Sequence, residues 1–401
     1  MSTSPLTGVK VLELARVLAG PWSGQVLADL GADVIKVESS TGDDTRRWGP
    51  PFVDNLDGTQ DAAYFHAANR GKQSVIVDFA TADGAAEIRR LVADADVLVE
   101  NFKVDGLKKY GLDYESLHKL NPRLIYCSIT GYGQDGPYAA RAGYDFIIQG
   151  ISGVMDLTGD PNGEPQKMGV AFADIFAGLY AVIGIQAALR HCEATGQGQH
   201  LDISLLDCMV GVLANQALNY LSSGESPKRL GNKHPNIAPY EAYPVRDGWF
   251  ILAVGNDNQF RRFCNLVGLA ELPNDDLFRS NAERVRNREL LSERIAFSTK
   301  KWSRDKLLNA LNEAGVPAGP INTIEQAFAD PQVRSRQMQL SMSRAGDDAT
   351  VPGIRTPITF SQTKLAATKA SPQLGNGSAR WKKYLRNNRK PRQWRPGSRV
   401  R

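Results

Sequence analysis

The feature that most constrains this sequence is the alternation of short apolar runs with helical segments over its first half. The runs have the length and the β-branched content of buried strands. They are VKVLELA (9–15), ADVIKVE (32–38), SVIVDF (74–79), DVLVENF (96–102) and LIYCSITGYG (124–133). Strands that alternate with helices pair in parallel and carry helices on both faces, so the sequence predicts an α/β, Rossmann-like fold.

The first strand-to-helix turn of this pattern is not a dinucleotide-binding turn. It reads ARVLAGPW and lacks the GxGxxG spacing. A sheet of this kind binds ligands beyond the carboxyl ends of its strands. Phosphate groups would therefore be held by helix N-termini and by Arg and Lys side chains.

A change of pattern marks a second region of the chain. Residues 222–240 are rich in turn formers, and residues 241–255 contain two strands joined at Asp247 and Gly248, which is a hairpin signal. The 401 residues are also too many for one ordinary core. We therefore expect two domains with a boundary near residue 225.

Asp174 is the polar residue that most needs an explanation. It lies in GVAFADIFAGLYAVIGIQAAL (169–189), with apolar residues on both sides. The segment is long enough for a membrane span, but its Asp, Gln and Gly residues favour a buried helix of a soluble protein. Asp174 is then either a first-turn acid favoured by the helix dipole or a carboxylate nucleophile kept ionised by helix-end donors.

Other candidate residues follow strand ends, where a ligand crevice is expected. They are Arg141, Tyr144 and Asp145 in 131–146, Asn101, Lys103, Lys108 and Lys109 in 100–111, and Arg46, Arg47, Arg70 and Lys72 in the loops 42–52 and 69–74. Each group alone is also typical of a solvated surface. Together, on one side of a parallel sheet, they indicate a polyanionic ligand.

Cysteine, histidine and charge patterns narrow the class of protein. The four scattered cysteines form no CxxC pair, and the start lacks a signal-peptide pattern, which fits a reducing cytoplasm. The five histidines show no metal-binding spacing, so no metal is expected. Residues 376–401 hold ten Lys and Arg and no acid, and the rest has 38 basic against 43 acidic residues. We expect an exposed, disordered basic tail; a genuine end and a shifted reading frame both remain open.

Several of these motifs together resemble the class III CoA-transferase family, of the formyl-CoA transferase and carnitine dehydratase type. The carriers include VLAGPWSGQVLADLGADVIKVE, GDDTRRWGPPF, NRGKQSVIVDF, DVLVENF, GYDF, ADIFAGLYA and TGQGQHLDISLLD. Within the family, GDDTRRWGPPFV, CSITGYGQDGPYAARAGYD and GVPAGPIN are most similar to the succinate–hydroxymethylglutarate (glutarate) CoA-transferases.

The resemblance implies an interlocked-ring homodimer. Each chain would have a large Rossmann-like domain, residues 1–224 and 326–375, and a smaller inserted α+β domain, residues 225–325. The resemblance also implies acyl-CoA and carboxylic acid substrates, with succinyl-CoA and a dicarboxylic acid as the expected pair. No membrane or nucleic-acid partner is expected.

The resemblance places the catalytic aspartate of the family on Asp174. A mixed anhydride and an aspartyl-CoA thioester would form on it in turn. Coenzyme A, as part of the substrate, would be contacted by Lys72, Asn101, Phe102, Lys109 and Tyr144, with Arg46 and Arg141 as further candidates. Lys72 suits a phosphate, and Asn101 and Tyr144 suit the thioester end.

Departures from the family pattern leave alternatives open. Leu18 replaces the glutamine of formyl-CoA transferases, and GNKHPNIAPY (231–240) stands where their tetraglycine lid would be. An α-methylacyl-CoA racemase would need a histidine at Tyr144, and a tyrosine of ordinary pKa is a poor base at neutral pH. A non-catalytic CoA-binding or nucleic-acid-binding protein is the alternative from another class.

Overall fold

The computed structural model describes residues 4–55, 57–344 and 350–379. The basic tail predicted for 376–401 thus lies largely outside the described residues. The strands are β1 (Lys10–Glu13), β2 (Asp33–Glu38), β3 (Phe52–Asp54), β4 (Gln60–Ala62), β5 (Gln73–Ile76), β6 (Val97–Glu100), β7 (Ile125–Thr130), β8 (His200–Ser204), β9 (Tyr240–Val245), β10 (Gly248–Ala253), β11 (Ala318–Pro320), β12 (Gln339–Ser343) and β13 (Thr350–Ile354).

The helices alternate with these strands in the first half of the chain and follow one another in the second. They are α1 (Ala19–Asp29), α2 (Ala63–Asn69), α3 (Ala82–Val92), α4 (Tyr114–Leu120), α5 (Asp145–Ile151), α6 (Val154–Leu157), α7 (Phe172–Thr195), α8 (Leu205–Gly211), α9 (Ala214–Ser223), α10 (Asp257–Val267), α11 (Asn281–Arg286), α12 (Arg288–Thr299), α13 (Arg304–Glu313), α14 (Ile324–Ala329) and α15 (Pro331–Ser335).

The chain forms two compact units. One comprises the residues up to Val154, Lys167–Leu221 and the residues from Arg334 on; the other comprises Met155–Gln166 and Ser222–Val333. The segment 155–166, which the sequence predicts to lie in the large domain, belongs to the second unit.

The first unit contains the predicted parallel sheet, in the order β5-β2-β1-β6-β7-β8. The α/β prediction is therefore confirmed. Successive strand residues point to opposite faces of the sheet, and helices bury both faces. Val11 packs into a core with α1, α7 and α8, whereas the next residue, Leu12, packs into a second core with α3 and α4.

The second unit is built around a three-stranded antiparallel sheet, in the order β11-β10-β9. The hairpin predicted at Asp247 and Gly248 joins β9 to β10. Helices α10, α12 and α13 cover the sheet with apolar side chains that include Phe263, Ile295 and Leu311.

Helix α7 is buried on one face only. Its buried face carries Ala173, Ala177 and Ala181, spaced one turn apart and fully buried in the core of the first unit. On the other face, Tyr180 and Ile183 are exposed. Within the described residues, this helix is the one long and apolar enough to cross a membrane by length and composition. In the single chain, the alanine face of α7 is therefore buried as expected, and the opposite face is exposed.

Candidate active site

A cleft of about 430 Å³ lies at the carboxyl ends of the parallel strands, where β1 and β6 are neighbours. The chain passes from β1 to α1 on one face of the sheet and from β6 towards α4 on the other. This is the point at which the strand order reverses, and open α/β sheets bind their ligands there. The lining residues come from the ends of β1, β6 and β7, from 139–145, and from α7 and α8.

Two close backbone approaches shape this cleft. A Cβ on Gly131 would lie 2.5 Å from the Cα of Gly143, so only glycine lets these segments cross and brings 143–145 to the strand ends. A Cβ on Gly178 would lie 2.7 Å from the carbonyl oxygen of Ala19, so α7 lies directly against the start of α1. Asp174, one turn before Gly178, thereby enters the cleft.

The N-terminus of α7 is capped by another carboxylate, not by Asp174. The Ala173 N–H donates to Asp145 Oδ1 at 2.8 Å, and Gln149 Nε2 donates to Asp145 Oδ2 at 2.7 Å. Asp174 lies in the first turn of α7, but no donor from the described residues reaches its carboxylate. Of the two carboxylates that line the cleft, Asp174 is the one available to a ligand.

The surroundings of Asp174 disfavour the ionised form of its carboxyl group. Burial and, to a smaller degree, the charge of Asp145 raise the pKa of Asp174 to about 7. The prediction that helix-end donors keep Asp174 ionised is wrong, because its pKa is raised and the Ala173 N–H at this helix end is bonded to Asp145. Near neutral pH the carboxylate is present but poorly stabilised, as a nucleophile requires.

Four of the predicted CoA contacts line the same cleft as Asp174: Asn101, Phe102, Arg141 and Tyr144. Tyr144 is 67% exposed, and the guanidinium of Arg141 lies 3.9 Å from the ring centroid of Tyr138. The ring of Phe102 packs edge-on against Phe79. The cleft therefore joins aromatic surface, a cation and a carboxylate.

Asn101 uses its side chain to hold the turn after β1. Its Oδ1 accepts from the Arg16 N–H at 2.8 Å, and its Nδ2 donates to the Arg16 carbonyl oxygen at 2.7 Å. The exposed guanidinium of Arg16 lies 5.5 Å from the ring centroid of Phe102. Asn101 thus fixes the position of a cation that lines the cleft.

Lys72 does not lie in the cleft. Its ammonium is buried and donates to Glu13 Oε1 at 3.0 Å, to the Pro21 carbonyl oxygen at 2.8 Å and to Asn69 Oδ1 at 2.9 Å. Burial lowers the pKa of Lys72 to about 8. Because these partners occupy all three of its N–H groups, Lys72 offers none to a phosphate.

Arg46 and Lys109 also lie elsewhere. Arg46 is buried, donates twice to Glu38 at 2.7 and 2.8 Å, and pairs with Asp61 at 2.9 Å. Lys109 is exposed on a 3₁₀ turn, with its ammonium 4.8 Å from the ring centroid of Tyr110, and is absent from the cleft lining. The fold thus uses Arg46 for an internal ion pair and leaves Lys109 on the surface.

Arg16 and Val17 are among the cleft residues that the sequence did not predict. Both belong to the first strand-to-helix turn, which lacks a glycine motif. The available signal was a cation directly after a buried strand, at the edge where ligands bind.

The chain is similar to known CoA-transferases over nearly its whole length. Residues 6–378 match the family model described as CoA-transferase family III. The chain is 58% identical to the succinate–glutarate CoA-transferase of Agrobacterium fabrum over 94% of each chain. It is 42% identical to the human succinyl-CoA:glutarate CoA-transferase over 92% of this chain and 84% of that one. The crystal structure of a CAIB/BAIF family protein from Brucella suis is 59% identical, covers 96% of this chain and 100% of its own, and superimposes with a TM-score of 0.86.

Proposed function

The chain belongs to CoA-transferase family III, and from that premise we propose that it transfers CoA from succinyl-CoA to a dicarboxylic acid such as glutarate, with Asp174 as the nucleophile. The donor and the acceptor follow from the names of relatives that are 58% and 42% identical. The proposal of Asp174 as the nucleophile rests on one observation: Asp174 lies in the cleft at the carboxyl ends of β1 and β6, and no donor from the described residues reaches its carboxylate.

The proposed reaction exchanges carboxylates without an external energy source. The Asp174 carboxylate attacks the thioester carbonyl, and the carbon–sulfur bond breaks. This step forms a mixed anhydride between succinate and Asp174 and releases CoA as a thiolate. The thiolate then attacks the aspartyl carbonyl, which forms an aspartyl-CoA thioester and releases succinate. The acceptor carboxylate attacks this thioester, and the released thiolate takes the acceptor acyl group from the second anhydride. Asp174 returns as a carboxylate, and no net proton is consumed.

The environment of Asp174 suits this role. A carboxylate near pKa 7 is more basic than an exposed one, and it loses little solvation when a substrate enters the cleft. Binding of the remote CoA moiety supplies the free energy that positions the thioester for attack.

We assign the CoA contacts to the predicted residues that line the cleft. Phe102, Tyr144 and Asn101 would contact the pantetheine arm and the thioester, and Arg141 would contact phosphate oxygens, with Arg16 added from the geometry. Lys109 stays a predicted contact from outside the cleft. Lys72 and Arg46 are left out of the proposed set because their donors are occupied by buried partners.

We further propose an interlocked homodimer of chains with a large and an inserted small domain, located in the cytoplasm. The exposed apolar side chains of α7 and α9, among them Ile183, Leu218 and Leu221, support a second copy of this chain as the covering surface. The four cysteines are buried and unpaired, which suits a reducing compartment. Light scattering after size-exclusion chromatography tests the dimer, and a monomeric mass would contradict it.

The nucleophile is tested by trapping the covalent intermediate. Incubation with succinyl-CoA should add the mass of CoA, less water, to the peptide that contains Asp174, and Asp174→Ala should abolish both the adduct and the transfer. Circular dichroism spectra of the two proteins should coincide. Full activity of Asp174→Ala, or an adduct on another residue, would contradict the proposal.

A further inference from the structure

Val17, in the turn between β1 and α1, has an unusual backbone conformation. Its φ is 71°, in the left-handed region, and it lines the cleft that contains Asp174. A β-branched residue is a true outlier in this region because its side chain crowds the backbone. Such strain persists only where the surroundings impose it, and it occurs often at functional sites.

The buried carboxylate of Asp43 holds this conformation. The Val17 N–H donates to Asp43 Oδ2 at 3.2 Å and lies 3.4 Å from Oδ1. Asp43 is 1% exposed, and its Oδ1 also accepts from the backbone N–H and the hydroxyl of Thr45, at 3.0 and 2.8 Å. Because Thr45 fixes the carboxylate, the carboxylate can fix Val17.

Lys36 joins this carboxylate to the preceding part of the same turn. Its ammonium lies 2.9 Å from Asp43 Oδ2 and donates to the Ala15 carbonyl oxygen at 2.9 Å. Burial alone would lower the pKa of Lys36, but the charges of Glu13 and Asp43 raise it above its usual range. With Asn101 on Arg16, three consecutive residues of the turn are held by side chains from other segments.

We propose that Asp43 is a positioning residue for CoA transfer, which acts by holding Val17 in its left-handed conformation. The turn carries Arg16, Val17 and Leu18 into the cleft and leads into α1, against which α7 packs at Gly178. Without the carboxylate, Val17 relaxes towards an ordinary φ, and the wall next to Asp174 moves. This inference rests on the assignment of the Asp174 cleft as the active site.

A double-mutant cycle separates this role from a merely structural one. Asp43→Ala should lower kcat/KM for succinyl-CoA about 10- to 100-fold, as expected when reacting groups shift by about 1 Å. Glycine adopts a positive φ without strain, so the same change in the Val17→Gly background should cost less than about threefold.

The stability of the same proteins provides the second readout. Asp43→Ala leaves Lys36 with one carboxylate fewer, so the thermal midpoint should fall in both backgrounds, while activity recovers only with Val17→Gly. If Asp43→Ala does not fold, Asp43→Asn replaces it, because asparagine keeps an acceptor for the Val17 N–H. Asp43→Asn should lower kcat/KM by a smaller factor, and this loss should again shrink in the Val17→Gly background. Asp276→Ala, at a carboxylate that is 86% exposed, is the matched control.

Two results would overturn the inference: unchanged kcat/KM in Asp43→Ala, or an equal loss in both Val17 backgrounds. The Asp174→Ala protein, measured alongside, identifies which proposal has failed. If Asp174→Ala keeps its activity, the cleft assignment is wrong. If Asp174→Ala is inactive and the cycle shows no coupling, only the role of Asp43 is wrong.

Discussion

Asp174→Asn should stabilise the folded protein, because the wild-type carboxylate destabilises it whenever it is ionised. Burial and the charge of Asp145 raise its pKa from 3.8 to about 7. The unfolded chain therefore releases this proton more readily than the folded one. Asparagine has almost the same shape and carries no charge, so the substitution removes this penalty and leaves the packing in place.

The magnitude follows from the two pKa values. An acid whose pKa is higher in the folded state costs nothing below about pH 3.8, costs more as the pH rises to about 7, and costs a constant amount above that. The penalty is about 4 kcal/mol at pH 8 and about 2 kcal/mol at pH 5. A buried amide has its own desolvation cost, so we expect a net gain of about 2–4 kcal/mol at pH 8.

Urea unfolding at pH 5, 6.5 and 8 measures this gain. The advantage of Asp174→Asn over the wild type should grow by about 2–3 kcal/mol from pH 5 to pH 8, because the amide does not titrate. Glu164→Gln, at an exposed carboxylate, is the control and should show no such growth. An advantage that is equal at pH 5 and pH 8 would refute the reasoning, since it would mean that Asp174 titrates alike in both states.

Three further predictions test the site. The kcat/KM for succinyl-CoA should rise with pH to a plateau above about 7, because Asp174 attacks only when ionised; a profile flat from pH 5 to 8 would contradict this. Arg141→Gln should raise the KM for succinyl-CoA about tenfold through loss of a charged hydrogen bond and change kcat little, with Arg279→Gln, at a 65% exposed site, as the control; an unchanged KM would exclude Arg141. Lys72→Met should lower the free energy of unfolding by about 3–5 kcal/mol, because it breaks a buried ion pair. A tenfold rise in the KM for succinyl-CoA with unchanged stability would instead show that Lys72 contacts CoA.

The sheet could be predicted because its signal is local. Parallel strands covered on both faces read as continuous apolar runs, and each helix between them reads as a separate segment. The cleft could be predicted for the same reason, since strand ends are visible in the sequence. Asn101, Phe102 and Tyr144 follow strands or precede a helix, and the structure places them at the cleft.

The roles of buried cations could not be predicted because their partners are distant in sequence. Lys72 pairs with Glu13, which is 59 residues away in the sequence. Before that partner is known, a loop lysine two residues after Arg70 is typical of a phosphate ligand. The exposed side of α7 could not be predicted either. Nearly all its faces are apolar, so periodicity could not show that its alanines are buried while Tyr180 and Ile183 are exposed.

The stability and the activity of this enzyme should depend on the same proton. The other carboxylates near the carboxyl ends of β1 and β6 have partners: Asp43 binds Val17 and Lys36, and Asp145 caps α7. Asp174 lacks such partners within the described residues, so nothing offsets the burial and the charge of Asp145 that raise its pKa, and its carboxylate stays available for attack. The pH profile of kcat/KM reports the pKa values of the free enzyme. Its midpoint should therefore equal the pH at which the stability difference between the wild type and Asp174→Asn levels off. Midpoints that differ by more than about one pH unit would show that another group controls the reaction.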